Sequence, residues 1–297
     1  MASKVKLYGF MGSNAVYTGT LMLEHKGLEF EFVKLPPAAH APMMLIMGFD
    51  TMGVPAIKID GVRVQGTRWI ARALDELYPD KPLFPADPEA RRAVEYAERW
   101  GEELQNATRR IFYCASRRDR KAFMSVLGRG RGPVRRTLLR MMAPVIIKLA
   151  TGMHRASDVA GREDVELLPE RLDQVDAWIA EGRLGGEQLN AADYQIAVNV
   201  SALLLSEDFA PYIEGRPSAA HARRVAPDYE GHIGPIVPEE WMAVLRKGGD
   251  DAAADGGGLA TVRAQPSSAF PAGTDDVLRA VGVDHARIAS LLRTKRA

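Results

Sequence analysis

The residues with chemistry at a usable spacing gather first at Gly66-Thr67, which closes an alternating segment and opens a helical one. A helix start leaves backbone N–H groups without intrahelical partners, and its dipole is positive there. With the Thr67 hydroxyl read as the cap, the junction suits a carboxylate or a phosphate. A cap without a ligand uses the same geometry and stays open. Ser13 stands in a second position of this kind. Gly9, Gly12 and Ser13 break a strand candidate, and a helix follows. On its own, Ser13 reads as a helix cap. Other nucleophiles and ligands are sparse. The one cysteine, Cys114, lies in a helical stretch and reads as a small apolar side chain. His25, His40, His154, His221, His232 and His285 show no paired ligand spacing, so no metal site is expected.

The elements around Gly66-Thr67 are well marked. Ile57 and Ile59 alternate with Lys58 and Asp60, and Val62 and Val64 with Arg63 and Gln65. This period of two predicts two half-buried strands. Asp60-Gly61 between them predicts a type I′ hairpin turn. Pro55 starts the first strand, where a proline needs a special reason. Ile70, Ala73, Leu74 and Leu77 then form one helical face. Upstream, residues 4–8 predict a strand, and a helix runs to Lys26 with Gly27 as its stop. Residues 28–35 predict a second strand, and the apolar patch 43–49 a short helix. The order β-α-β-(α)-β-β-α describes a small layered α/β domain over residues 1–80.

Residues 81–88, KPLFPADP, read as a linker, and residues 89–245 as an all-helical domain. Val94, Ala97, Leu104 and Ile111 make one apolar stripe, with Glu95, Glu98 and Glu102 turned elsewhere. Leu168, Leu172, Val175 and Ile179 make another. Asn190 and Asp193 form a capping box, with Leu189 placed to staple onto Tyr194. The following segment, IAVNVSALLL, is apolar nearly all round and predicts the buried centre of a bundle. Pro238 opens a last short helix through Val244. Residues 246–297 read as a Gly/Asp/Ala-rich linker and an extension, where Thr274 and Asp284 cap two short helical candidates.

Composition sets the limits. The chain has 297 residues, 46% apolar and 26% charged, with a net charge of +1. That describes a globular chain with a real core and excludes a general nucleic-acid binder. A single cysteine permits no internal disulfide. The first ten residues lack the apolar core of a signal peptide, and no apolar run approaches a membrane span. The expected place is the cytoplasm, without membrane contact. Residues 109–148 stand out, with twelve Lys and Arg against one acid, Asp119. Two readings remain open: a solvated surface paired with the preceding acidic stripe or a neighbouring subunit, or a site for an anionic substrate or surface.

The segments KLYGF, Ser13, LEHKGLEFEFV, GVPAIKIDG, GTRWIARALDELYPDKPLFP and LNAADYQIA, in this order, resemble the glutathione S-transferases. The resemblance covers residues 4–245. It implies a thioredoxin-like N-terminal domain, a helical-bundle domain and a homodimer. It implies that Val54 and a cis Pro55 bind the backbone of a thiol peptide, and that Gly66 and Thr67 hold its carboxylate. Ser13 would be the catalytic hydroxyl that favours the thiolate, with Tyr8 and Tyr17 as rivals that otherwise pack. The implied reaction is attack of a bound low-molecular-weight thiol on a small electrophile. Glutathione is the first choice and mycothiol a second, with no metal. A thiol-dependent isomerase or lyase, or a non-catalytic binding protein of the same fold, are the alternatives. Gly53, Gly66 and Asn14 depart from the residues common in relatives at those positions. The last 25 residues also resemble the end of family III CoA-transferases, which would hint at CoA-linked metabolism; otherwise they are an accessory extension.

Overall fold

A computed structural model describes residues 4–37, 39–127, 132–243 and 245. The predicted linker and extension at 246–297, with their CoA-transferase resemblance and the Thr274 and Asp284 caps, lie outside the described residues, as does Val244.

The N-terminal domain is a thioredoxin-like α/β layer. Its elements are β1 (Val5–Gly9), α1 (Asn14–His25), β2 (Phe30–Lys34), α2 (His40–Ile46), β3 (Ala56–Ile59), β4 (Val62–Gln65) and α3 (Thr67–Leu77). The sheet order is β2-β1-β3-β4. β1 runs parallel to β2 and antiparallel to β3, which pairs antiparallel with β4. The hairpin turn forms as its sequence demands, with positive φ at both Asp60 (47°) and Gly61 (93°). The apolar alternation sorts as expected, because Ile57, Ile59 and Val64 are buried. Pro55 precedes β3 rather than starting it. The short helix lies at His40–Ile46, earlier than the apolar patch suggests.

The rest is helical. α4 (Pro88–Arg118) begins where the linker ends, capped by the Asp87 carboxylate on the N–H groups of Glu89 and Ala90. Next come α5 (Arg120–Leu127), α6 (Pro133–Met153), α7 (Asp158–Glu166), α8 (Leu168–Ala180), α9 (Ala191–Leu204), α10 (Ala210–Ile213) and α11 (Pro217–Val225). The capping box at Asn190 and Asp193 is complete, and α9 is buried on nearly every side. α4 reaches α9 closely because Gly101 has no side chain: a Cβ there would stand 2.8 Å from Ile196 Cγ1.

Glu98 is turned away from the apolar stripe of α4, and it is fully buried. Arg72 of α3 donates to its carboxylate at 2.8 Å, and Arg68 lies 3.8 Å away. The burial of Glu98 is therefore a product of the seam between the two domains. His25 crosses the same seam. It contacts the Lys81 carbonyl at 3.1 Å through Nε2 and the Tyr194 hydroxyl at 2.8 Å through Nδ1. Asp75 fixes the linker by accepting from the N–H groups of Leu83 and Phe84.

Candidate functional site

Sheet register brings three chain segments to one end of the sheet. Tyr8 of β1 faces Ala56 of β3, which faces Gln65 of β4. The residues just beyond these positions are Gly9–Ser13, Val54-Pro55 and Gly66-Thr67. The three predicted site segments therefore leave the sheet side by side.

Ser13 is the N-cap of α1, in extended conformation. Its Oγ accepts from the Val16 N–H at 3.5 Å, a long and weak contact. The hydroxyl proton is committed to no acceptor among the described residues. Gly9, at the end of β1, sits against α1. A Cβ there would meet Val16 Cγ2 at 2.4 Å, so no larger residue fits.

The Val54-Pro55 bond is cis. Pro55 is held from two sides. Its carbonyl accepts from the Gly66 N–H at 2.9 Å, which ties the start of α3 to the cis bond. On the other side α1 comes close at Gly19, where a Cβ would lie 3.5 Å from Pro55 Cβ. Gln65 organises the loop before the cis bond. Its amide oxygen accepts from the Thr51 N–H at 3.0 Å, and its nitrogen donates to the Thr51 and Gly53 carbonyls. Gly53 thus has support from a side chain that the sequence reading did not single out. The signal was available: Gln65 is the last residue of a strand whose outward side chain returns over the loop.

Thr67 does not cap α3. Gly66 takes the N-cap position and Thr67 is the first helical residue, buried, with no side-chain cap hydrogen bond. The reason is conformational. The backbone at residue 66 has φ 89° and ψ 142°, a region that glycine adopts and threonine does not. The departure at Gly66 is a requirement of the junction.

Tyr8 and Tyr17 behave as packing residues in part. Tyr8 is buried with Leu35, Met44, Phe49 and Ala56, edge-on to Phe49 at 5.1 Å. Tyr17 is half-buried against Tyr229 at 5.1 Å. Burial, then Asp228 and Glu24, push its phenol pKa up. Asn14, the third departure, joins the domains. Its Nδ2 donates to Asn199 Oδ1 at 3.0 Å, and its Oδ1 accepts from the Tyr229 hydroxyl at 2.6 Å.

The loop at Phe10–Ser13 has a helical neighbour that sequence spacing did not reveal. A Cβ on Gly12 would meet Leu127 Cδ2 at 3.0 Å and the Val126 carbonyl oxygen at 3.3 Å. Phe10 packs on the apolar cluster between α5 and α6. Several cations of the basic stretch pair with acids of α7. Arg110 pairs with Asp164, and Arg117 and Arg118 with Asp158, all on α7. Cys114 is buried and donates to the Ser157 carbonyl at 3.2 Å; burial pushes its thiol pKa up. Among the described residues no cluster of His, Cys, Asp and Glu could hold a metal ion, and no helix is long and apolar enough to cross a membrane.

This sheet end, its cis proline and the helical bundle behind it define the class. Residues 7–82 match the family described as glutathione S-transferase, N-terminal domain. Residues 7–82 thus resemble the N-terminal domain of that family, and the fold of the chain is the thioredoxin-like plus helical fold of glutathione transferases. The chain is similar to maleylacetoacetate isomerase of Rattus norvegicus, 30% identical over 97 residues, covering 31% of this chain and 45% of that protein. It is similar to glutathione S-transferase Z1 of Arabidopsis thaliana, 34% identical over 103 residues, covering 31% and 42%. These matches span less than half of each relative's length. Among solved structures, glutathione transferase F2 from Populus trichocarpa aligns over 83% of this chain and 99% of its own, with TM-score 0.52 and 17% identity. That likeness concerns the fold.

Proposed function

We propose that this chain binds a low-molecular-weight thiol, glutathione in the first instance, and favours its thiolate for attack on a small electrophile. The supporting observation is the placement of the Ser13 hydroxyl at the start of α1, on the same sheet end as the cis Val54-Pro55 bond and the start of α3. In this reading the backbone of Val54 pairs with the thiol peptide. Gly66 and Thr67 offer the α3 N-terminus to its carboxylate. Ser13 donates to the sulfur. A free thiol has a pKa of about 8.5, so it is mostly protonated at neutral pH. A hydrogen bond to a charged group contributes about 1.5–3 kcal/mol, which lowers that pKa by roughly one to two units. The protein supplies ionisation and proximity, and the bound thiol is the nucleophile. The working form is a cytoplasmic homodimer.

A second reading is thiol-dependent isomerisation, favoured by the name of the rat relative. There the thiolate adds to an unsaturated substrate, a bond rotates, and the thiol leaves unchanged. Ser13 has the same task in both.

The test has three parts. Thermal stability is followed with glutathione, mycothiol and CoA, and conjugation of an aryl halide and isomerisation of a cis-enedione acid are assayed with wild type and Ser13→Ala. The thiolate absorbance of bound glutathione is then titrated. Ser13→Ala should leave binding in place, raise the bound thiol pKa by about one to two units and slow turnover tenfold or more at pH 7. Binding without either turnover would identify a non-catalytic binding protein. Turnover untouched by Ser13→Ala would remove the serine from the mechanism.

A further inference from the structure

α6 has two apolar faces, and among the described residues only one of them is covered. Leu139, Ala143 and Ile147 are buried against the cluster built by Phe123, Met124 and Leu127. On the opposite side, Val134, Leu138, Met141, Val145, Leu149 and Met153 are each between 52% and 81% exposed. At 3.6 residues per turn these six fall in one sector of about 120°, a continuous stripe along the helix. Isolated exposed apolar side chains are ordinary, but a stripe of six along one helix marks an interaction surface.

The charges around it select the partner. Arg135 and Lys148, both exposed, stand at the two borders of the stripe. Arg120, Lys121, Arg136 and Arg140 line a groove of about 480 Å³ on the other side of the same hairpin, where Asp119 is the acid. Arg135, Arg136, Arg140 and Lys148 make no ion pair among the described residues. From Arg120 to Ser157 the sequence contains no Asp or Glu. A second copy of this helix would set like charges against like. α6 has the length of a membrane span, but with Arg135, Arg136, Arg140 and Lys148 it is not apolar enough to cross a bilayer.

We propose that α6 is a membrane-surface helix, which lies in the plane of an anionic phospholipid bilayer with its stripe at the boundary between the headgroups and the acyl chains. An apolar face bordered by cations is the pattern of an interfacial helix, and an anionic leaflet attracts such cations over about a Debye length. The α5/α6 groove, on the other side of the hairpin, adds to the positive charge of this region without itself entering the lipid. This surface role is independent of the thiol chemistry. It takes up the reading of the basic segment as a site for an anionic surface, which the sequence left open beside a solvated surface.

The experiment is vesicle flotation of the full chain. One set of vesicles is pure phosphatidylcholine and the other contains one-third phosphatidylglycerol. The protein should float with the anionic vesicles, at least tenfold more weakly with the neutral ones, and lose binding as salt rises. Leu138→Glu/Val145→Glu alters exposed positions, so circular dichroism should be unchanged while flotation falls at least tenfold. Arg135→Gln/Lys148→Gln should weaken anionic binding alone. Absence of flotation, equal binding to both vesicles, or flotation untouched by Leu138→Glu/Val145→Glu would overturn the proposal. So would a change of oligomeric state in that variant by light scattering, which would make the stripe a contact between copies. Ser13→Ala should float like wild type.

Discussion

Asn14 Nδ2 donates to Asn199 Oδ1 at 3.0 Å, joining the first residue of α1 to the middle of the buried helix α9. Asn14 follows Ser13 directly, so the contact anchors the site loop to the helical domain. The Tyr229 hydroxyl donates to the other end of the same amide at 2.6 Å. Asn14→Ala removes both bonds and leaves the Asn199 amide short of one partner. Unfolding in urea should show a loss of about 1–3 kcal/mol. Asn14→Asp keeps an acceptor for Tyr229 and should fall between the two. No change in either variant would mean that the amide bridge is replaced by water.

Gly66 tests the junction that, in the proposed function, offers the α3 N-terminus to a carboxylate. A Cβ there has room, its nearest neighbour being Trp69 Cδ1 at 3.6 Å. The objection to a side chain is the backbone, with φ at 89°. Gly66→Ala should cost about 1–3 kcal/mol by strain, read from the urea midpoint. It should also weaken glutathione binding in the thermal-shift assay, because the α3 start would move from Pro55. A neutral Gly66→Ala would show that the junction relaxes freely.

Gly101 is the opposite case, a glycine needed for space. Gly101→Ala puts a Cβ 2.8 Å from Ile196 Cγ1 and 3.0 Å from Gln195 Cγ, both on the buried helix α9. Overpacking of this kind costs about 1–3 kcal/mol. Adding Ile196→Ala to it should recover part of the loss, since the second change opens the space that the first one fills. Calorimetric melting of the two variants checks the sign.

His154 gives a pH dependence. Its ring stacks on Tyr113 at 5.3 Å. Burial, then Arg109 and Arg110, lower its pKa to about 4. The ordinary value is about 6.5, so between these limits the unfolded chain binds the proton and the folded chain does not. Stability from this group is complete above pH ~6.5 and is lost as pH falls through about 4. Partial exposure of the ring reduces the effect to about 1–2 kcal/mol. His154→Phe keeps the stack and should flatten that part of the stability curve. An unchanged acid limb would assign the slope to other groups.

What the sequence made legible was local. Asp60-Gly61 and the Asn190–Asp193 capping box depend on residues within a few positions of one another, and both formed as read. What lay beyond it shares a cause as well. Gly66 and Thr67 are both acceptable caps by residue type, and the choice between them rests on a φ value imposed by the tie to Pro55. Glu98 occupies a polar position on α4, and Arg68 and Arg72 cover it from a helix in the other domain. In α6, Leu139 and Leu138 are adjacent and of one type, yet the first is buried and the second exposed. Periodicity identifies such a helix and is silent on which flank meets the core.

The bare Cα of Gly12 has a consequence for the packing around it. Leu127 and the Val126 carbonyl rest on that position, one residue before the serine hydroxyl. Leu127 also belongs to the cluster that seats α6. One leucine therefore serves two neighbours: a side chain added at residue 12 would press on Leu127 and, through it, on the packing that seats α6.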